Sequence, residues 1–211
     1  MRLRVRNVLL ALAAGTLFGV GAAALVSARL DASRAPDVPG LLWPDPKQVQ
    51  PFTLTDQHGA PFGVERFDKR WTFLFFGYTY CPDVCPTTLS MLAKVQQDLA
   101  RDGSGSDVQV VFVSVDPTRD TPQHLGAYVS FFNPDFVALT GPDDGLAPLT
   151  RQLGIYFSRD APDGDGNYLV GHSSAVLLID PQRRLVAIHQ APHDAAQIAQ
   201  SFRQVRRFLE G

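Results

Sequence analysis

The chain has two cysteines, and both lie in FFGYTYCPDVCPTTL, residues 75–89: Cys81 and Cys85. Three residues separate them, one more than in the C-x-x-C pair of a thiol–disulfide catalyst. Two thiols at this spacing offer three chemistries: a disulfide that braces a loop, electron exchange with another disulfide, and coordination of a soft metal ion. A bracing disulfide gains little, because closing so short a loop removes little entropy from the unfolded chain. The other two readings stay open on these residues. A helix starting beside the pair favours the thiolate, whereas the carboxylate of Asp83 between the cysteines opposes it.

A metal site needs further ligands, and five histidines are available. His58 falls in a hairpin turn and His124 in the first turn of a helix, where solvated side chains are expected. His189 and His193 are four apart, but Pro192 prevents a helix that would align them. His172 stands apart in VGHSSAVLLID, flanked by Gly171 and two serines that leave it room. Taken alone, it also suits a structural or surface role. Two thiolates and one imidazole would suit copper, sulfur favouring Cu(I) and imidazole also serving Cu(II). A closed structural zinc site needs four protein ligands, and no third cysteine exists. The DGDGN stretch at 163–167 fails as a calcium loop, with Tyr168 where glycine is needed and Ser174 where a bidentate glutamate is needed.

The elements that would position these groups follow from patterning. PFTLTDQHGAPFGVERF predicts two short strands joined by a turn at Gly59. WTFLFFGY and VQVVFVSV are continuous apolar runs, as expected of strands buried on both faces. Leu89, Leu92, Val95 and Leu99 fall at helical spacing after the cysteine loop, with Pro86 in the first turn. Thr121 is placed to cap a helix opening with Pro122. FVALTG reads as a strand, PDDGLAPLTRQLG as a broken helix and IYFSRD as another strand. YLVGHSSAVLLID and RLVAIHQ read as a hairpin about Pro181-Gln182, and Asp194 as the cap of a last helix. This order predicts an α/β fold, a mixed central sheet flanked by helices.

Formal net charge is −2 over 211 residues, which leaves no electrostatic footprint for nucleic acid. Arg2, Arg4 and Arg6 precede an uncharged run, VLLALAAGTLFGVGAAALVSA, at 8–28. Twenty-one helical residues cover about 30 Å, the thickness of a hydrocarbon core. Residues 1–28 are therefore expected to form a signal anchor that keeps the N-terminus inside and the remainder outside the cytoplasm, with a signal peptide cleaved after VSA as the competing reading. The proline-spaced residues 29–47 are expected to form an extended linker, and 48–211 the globular domain.

FFGYTYCPDVCPTTL, together with SVDPTRDTP at 114–122 and a lone histidine before a late strand, resembles the Sco/SenC family of copper-binding assembly factors for cytochrome c oxidase. The resemblance covers roughly 48–210 and implies a thioredoxin-like fold on a single membrane anchor. It implies copper ligands at Cys81, Cys85 and His172, and a supporting or structural role for Asp116 and Arg119; Asp83, by its place between the cysteines, is expected either to tune the thiolates or to favour the loop turn. Two positions depart from the family pattern: Gly171 stands where aspartate is frequent, and Tyr80 where histidine is frequent. No proline lies between Pro162 and Pro181, so the cis-proline that thioredoxin-like oxidoreductases place beside their disulfide is missing.

The expectation is then a copper chaperone rather than an enzyme, held in the inner membrane with its domain in the periplasm. It would deliver Cu(I) or Cu(II) to the dicopper centre of oxidase subunit II, taking copper from another periplasmic chaperone. The alternative is a thiol–disulfide reductase that keeps the cysteines of the oxidase subunit or another copper protein reduced.

Overall fold

The computed structural model describes residues 35–211. The expected anchor at 8–28 lies outside the described residues, and among the described residues no helix is long and apolar enough to cross a membrane. Val38–Gln204 form one compact unit, and Val205–Gly211 fall outside it.

Among the described residues an eight-stranded sheet organises the chain. Its strands are β1 (Lys47–Gln48), β2 (Thr53–Asp56), β3 (Pro61–Gly63), β4 (Trp71–Gly77), β5 (Val108–Ser114), β6 (Val137–Thr140), β9 (Val176–Ile179) and β10 (Arg184–His189). Their spatial order is β1-β10-β9-β4-β5-β6-β2-β3. The central β4, β5 and β6 run parallel, and β9 and β2 join them antiparallel, so the sheet is mixed as expected. Among the described residues four α-helices accompany it: α1 (Val84–Arg101), α2 (Pro122–Phe132), α3 (Asp143–Gln152) and α4 (Ala195–Glu210).

Every residue of β4 and β5 is buried, which is why both read as unbroken apolar runs. Trp71 and Phe73 of β4 pack on Phe202 of α4, their ring centroids 5.4 and 5.6 Å from its own. Each such fully buried aromatic contributes on the order of 2–3 kcal/mol. The caps read from sequence are in place: Thr121 Oγ1 accepts from the His124 amide, and Asp194 Oδ1 from the Gln197 amide.

Three elements differ from their sequence expectation. The helix at Asp143–Gln152 is unbroken: it runs through Pro148, its sixth residue, whose missing N–H forfeits the one bond to Asp144 O. YLVGH does not belong to the β9–β10 hairpin. Its Val170–His172 forms β8, which pairs only with β7 (Phe157–Arg159) in a separate two-stranded ribbon. Part of the expected linker is docked: Val38 is buried, Leu41 bridges Ala187, and the Leu42 amide donates to Val186 O. The part of the β10 edge beyond its pairing with β1 captures that chain through backbone groups, which leave no hydrophobic period in sequence.

Candidate metal centre

β4 delivers the cysteines. It ends at Gly77, the chain turns so that the Cys81 amide donates to Tyr78 O, and α1 begins at Val84. Cys85 thus lies inside the first turn of α1 rather than ahead of it. Both cysteines are free thiols, Cys81 half-buried and Cys85 buried. Gly77 is needed for this approach, because a Cβ there would stand 2.6 Å from Cys85 Sγ and 2.9 Å from the Phe112 ring. Asp83 occupies the N-cap position without capping by its side chain, and its Oδ1 takes only a long 3.4 Å bond from Thr87 Oγ1.

The β7–β8 ribbon delivers the histidine. His172 ends β8 opposite Phe157, and its Nε2 stands 3.4 Å from Cys85 Sγ. Nδ1 donates to the carbonyl of Ser173 at 3.0 Å, which leaves the Nε2 lone pair turned toward the sulfur. That carbonyl orients the ring where Gly171 offers no carboxylate. Edge contacts from Phe75 and Tyr78, at 6.2 and 5.9 Å, hold the imidazole from the side. The ligand atoms of Cys81, Cys85 and His172 all lie within 4.8 Å of one another. Three donors around one ion at about 2.0–2.3 Å stand roughly 3.5–4 Å apart, so a small closing movement completes the set.

Burial governs the protonation of this group. It pushes the Cys85 thiol well up, outweighing a hydrogen bond with the Tyr78 backbone, and the neighbouring Cys81 adds to the shift. It also holds His172 below the usual imidazole range, so the ring is a neutral ligand at neutral pH. A metal entering here displaces the Cys85 proton and meets a nitrogen already free of one.

Asp116 and Arg119 hold the ribbon rather than touch the sulfurs. Asp116 is fully buried and accepts from Arg119 Nε at 2.5 Å and from the Tyr168 hydroxyl at 2.6 Å. Arg119 Nη1 donates to Tyr168 O at 3.0 Å, and its guanidinium lies 3.6 Å from the Tyr168 ring centroid and 4.7 Å from that of Tyr80. Tyr168 stands two residues before β8, so this cluster ties the β5–α2 loop to the strand that ends in His172. Arg159 of β7 makes the second tie, donating to Val115 O at 2.6 Å and to both carboxylate oxygens of Asp143.

Sequence reasoning missed the support beneath Cys81. Buried Asp120 accepts from the Thr79 amide, from Thr79 Oγ1 at 2.5 Å and from Ser114 Oγ at 2.6 Å. His124, expected to be merely solvated, bonds Thr79 Oγ1 at 2.9 Å and stacks on Tyr80. The DPxRDTP spacing was the only available signal for Asp120, and it does not say which loop the carboxylate supports. The DGDGN stretch is a turn, with Asp163 Oδ1 accepting from the amides of Asp165 and Asn167.

A family model described as SCO1/SenC matches residues 44–207. A SCO2-like protein of Rickettsia prowazekii is 34% identical over 154 residues, 72% of this chain and 74% of that protein. The mitochondrial SCO2 homolog of Bos taurus is 35% identical over 153 residues, and the match spans 58% of its length. Among solved structures, copper-bound ScoI of Arabidopsis thaliana shares 33% identity and a TM-score of 0.69, covering 77% of this chain and 98% of that one. Copper-bound ScoI of Bradyrhizobium japonicum shares 32% identity at a TM-score of 0.66, covering 76% and 99%. The mixed α/β fold thus matches those of solved Sco structures.

Proposed function

Because the chain belongs to the SCO1/SenC family, we propose that it is a copper carrier in cytochrome c oxidase assembly, anchored in the inner membrane with its domain in the periplasm. Cys81, Cys85 and His172 hold the ion. The observation that carries this reading is the convergence of their three ligand atoms within 4.8 Å, from elements far apart in sequence. The copper-bound relatives support the choice of metal, and the two soft sulfurs favour Cu(I). Cys81 is the more accessible of the two sulfurs, so an acceptor thiolate enters from its side and displaces the ligands in turn. The acceptor in this reading is the dicopper centre of oxidase subunit II, and the donor another periplasmic copper chaperone.

A second reading uses the same sulfurs as a reductase. The two thiols are free, and their sulfurs lie within 4.8 Å of each other. Passing two electrons and two protons to a partner disulfide would leave Cys81 and Cys85 joined and the partner reduced.

The test is anaerobic titration of the reduced full chain in detergent with Cu(I), alongside Cys81→Ser, Cys85→Ser and His172→Ala. The carrier predicts one tightly held copper per chain, weakened by each substitution. Tight binding that ignores His172→Ala reduces the site to a dithiol. Absence of tight binding, with retained reduction of a partner disulfide, makes the reductase the function.

A further inference from the structure

A second cluster of imidazoles lies outside the cysteine site. β10, the β10–α4 loop, α4 and the chain at Pro39 and Gly40 line an open cleft of ≈ 260 Å³ that includes His189, His193, Asp194 and Ser201. Three residues of this lining each carry a buried polar atom without a hydrogen-bond partner: His189 Nε2, His193 Nδ1 and Ser201 Oγ. Buried polar atoms are paired in the great majority of cases, so three orphans lining one cleft point to something that binds there. The sequence argument against a His189–His193 pair rested on the lack of a helix. The structure needs none, because the loop after β10 folds back and brings both rings to the same cleft.

The donor atoms define the ligand. His193 Nε2 lies 2.8 Å from Ser174 O and donates to that carbonyl, which leaves Nδ1 as a bare lone pair. This is how proteins orient a metal-ligating histidine: one ring nitrogen on a backbone carbonyl, the other on the ion. The cleft is smaller than most pockets that hold organic ligands, which begin at about 300 Å³. Asp194 at the rim adds negative charge, and the site contains no sulfur. Imidazole without thiolate selects borderline divalent ions over Cu(I).

We propose that this cleft is a second cation site, in which His189 Nε2 and His193 Nδ1 coordinate a borderline divalent ion such as Cu²⁺ or Zn²⁺. Ser201 Oγ bonds a water on the ion. The site is distinct from the cysteine centre but close to it in the chain. His172 hangs from the carbonyl of Ser173, and His193 from that of Ser174.

The test removes the first site so that the two cannot be confused. The full chain carrying Cys81→Ser, Cys85→Ser and His172→Ala is titrated in detergent with Cu²⁺ and followed by electron paramagnetic resonance. One bound Cu²⁺ with nitrogen hyperfine coupling is expected. Adding His189→Gln or His193→Gln should weaken it about tenfold or more. Thermal melts check that each variant folds. If His189→Gln does not fold, paramagnetic broadening of the His189 and His193 ring signals in the parent decides instead. No bound Cu²⁺, binding indifferent to both histidines, or broadening confined to other histidines would overturn the site and leave the cleft to water.

Discussion

Cys85 Sγ and His172 Nε2 stand 3.4 Å apart although 87 positions separate the two residues in the chain. Room for that sulfur depends on Gly77, where an added Cβ would sit 2.6 Å from it. Gly77→Ala is therefore expected to displace Cys85 from the histidine. Overpacking of this kind costs about 1–3 kcal/mol, and Cu(I) affinity should fall with it. Urea unfolding and a competition titration read the two effects, and unchanged affinity would mean that the sulfur has slack.

Arg119 works through shape as well as charge. Arg119→Ala takes a fork and a stacking partner from a cluster built on buried Asp116, and should cost roughly 2–4 kcal/mol. Arg119→Lys keeps the charge but loses the planar fork, so it should restore less than half of that loss. Full rescue by lysine, measured by denaturant unfolding, would contradict the role of the stack on Tyr168.

Asp120 holds the start of the cysteine loop through Thr79. Asp120→Asn replaces one accepting oxygen with a donor that faces other donors, at a cost of about 1–3 kcal/mol. Hydrogen exchange at the Thr79 amide should accelerate, because its acceptor is lost. Unaltered protection of that amide would show that the loop is held elsewhere.

The Asp143–Arg159 pair gives a pH signature. The Arg159 bonds hold the Asp143 carboxyl below its usual value of 3.8. A lowered carboxyl stabilises the fold above its ordinary value, and that contribution disappears as pH falls through the lowered one. Asp143 is largely exposed, so the contribution is below about 1 kcal/mol. The stability gap between the parent and Asp143→Asn should be constant from neutral pH down to about pH 5 and close in stronger acid. A gap that persists in acid would assign it to packing.

The local signals in this chain were legible. Apolar runs marked β4 and β5, leucine spacing marked α1, and Thr121 and Asp194 marked two helix starts, because each depends on side chains within a few residues. Cys81 and Cys85 announced themselves by type and spacing. His172 was singled out by its small neighbours, and its pairing with the cysteines rested on a resemblance.

Other features depend on residues that meet only after folding. The ribbon of β7 and β8 escaped prediction because its partner strand lies across a turn and its anchors, Arg159 on Val115 O and Tyr168 on Asp116, are long-range. The docking of Leu41 and Leu42 on β10 uses backbone groups, which every sequence carries alike. The sequence by itself determined which atoms can bind a metal and which segments form strands and helices. The tertiary structure alone decided that Cys81, Cys85 and His172 meet, that Asp120 and His124 support the loop, and that His189 and His193 share a cleft. Patterning reports on burial of one element at a time, whereas a binding site is a set of distances between elements.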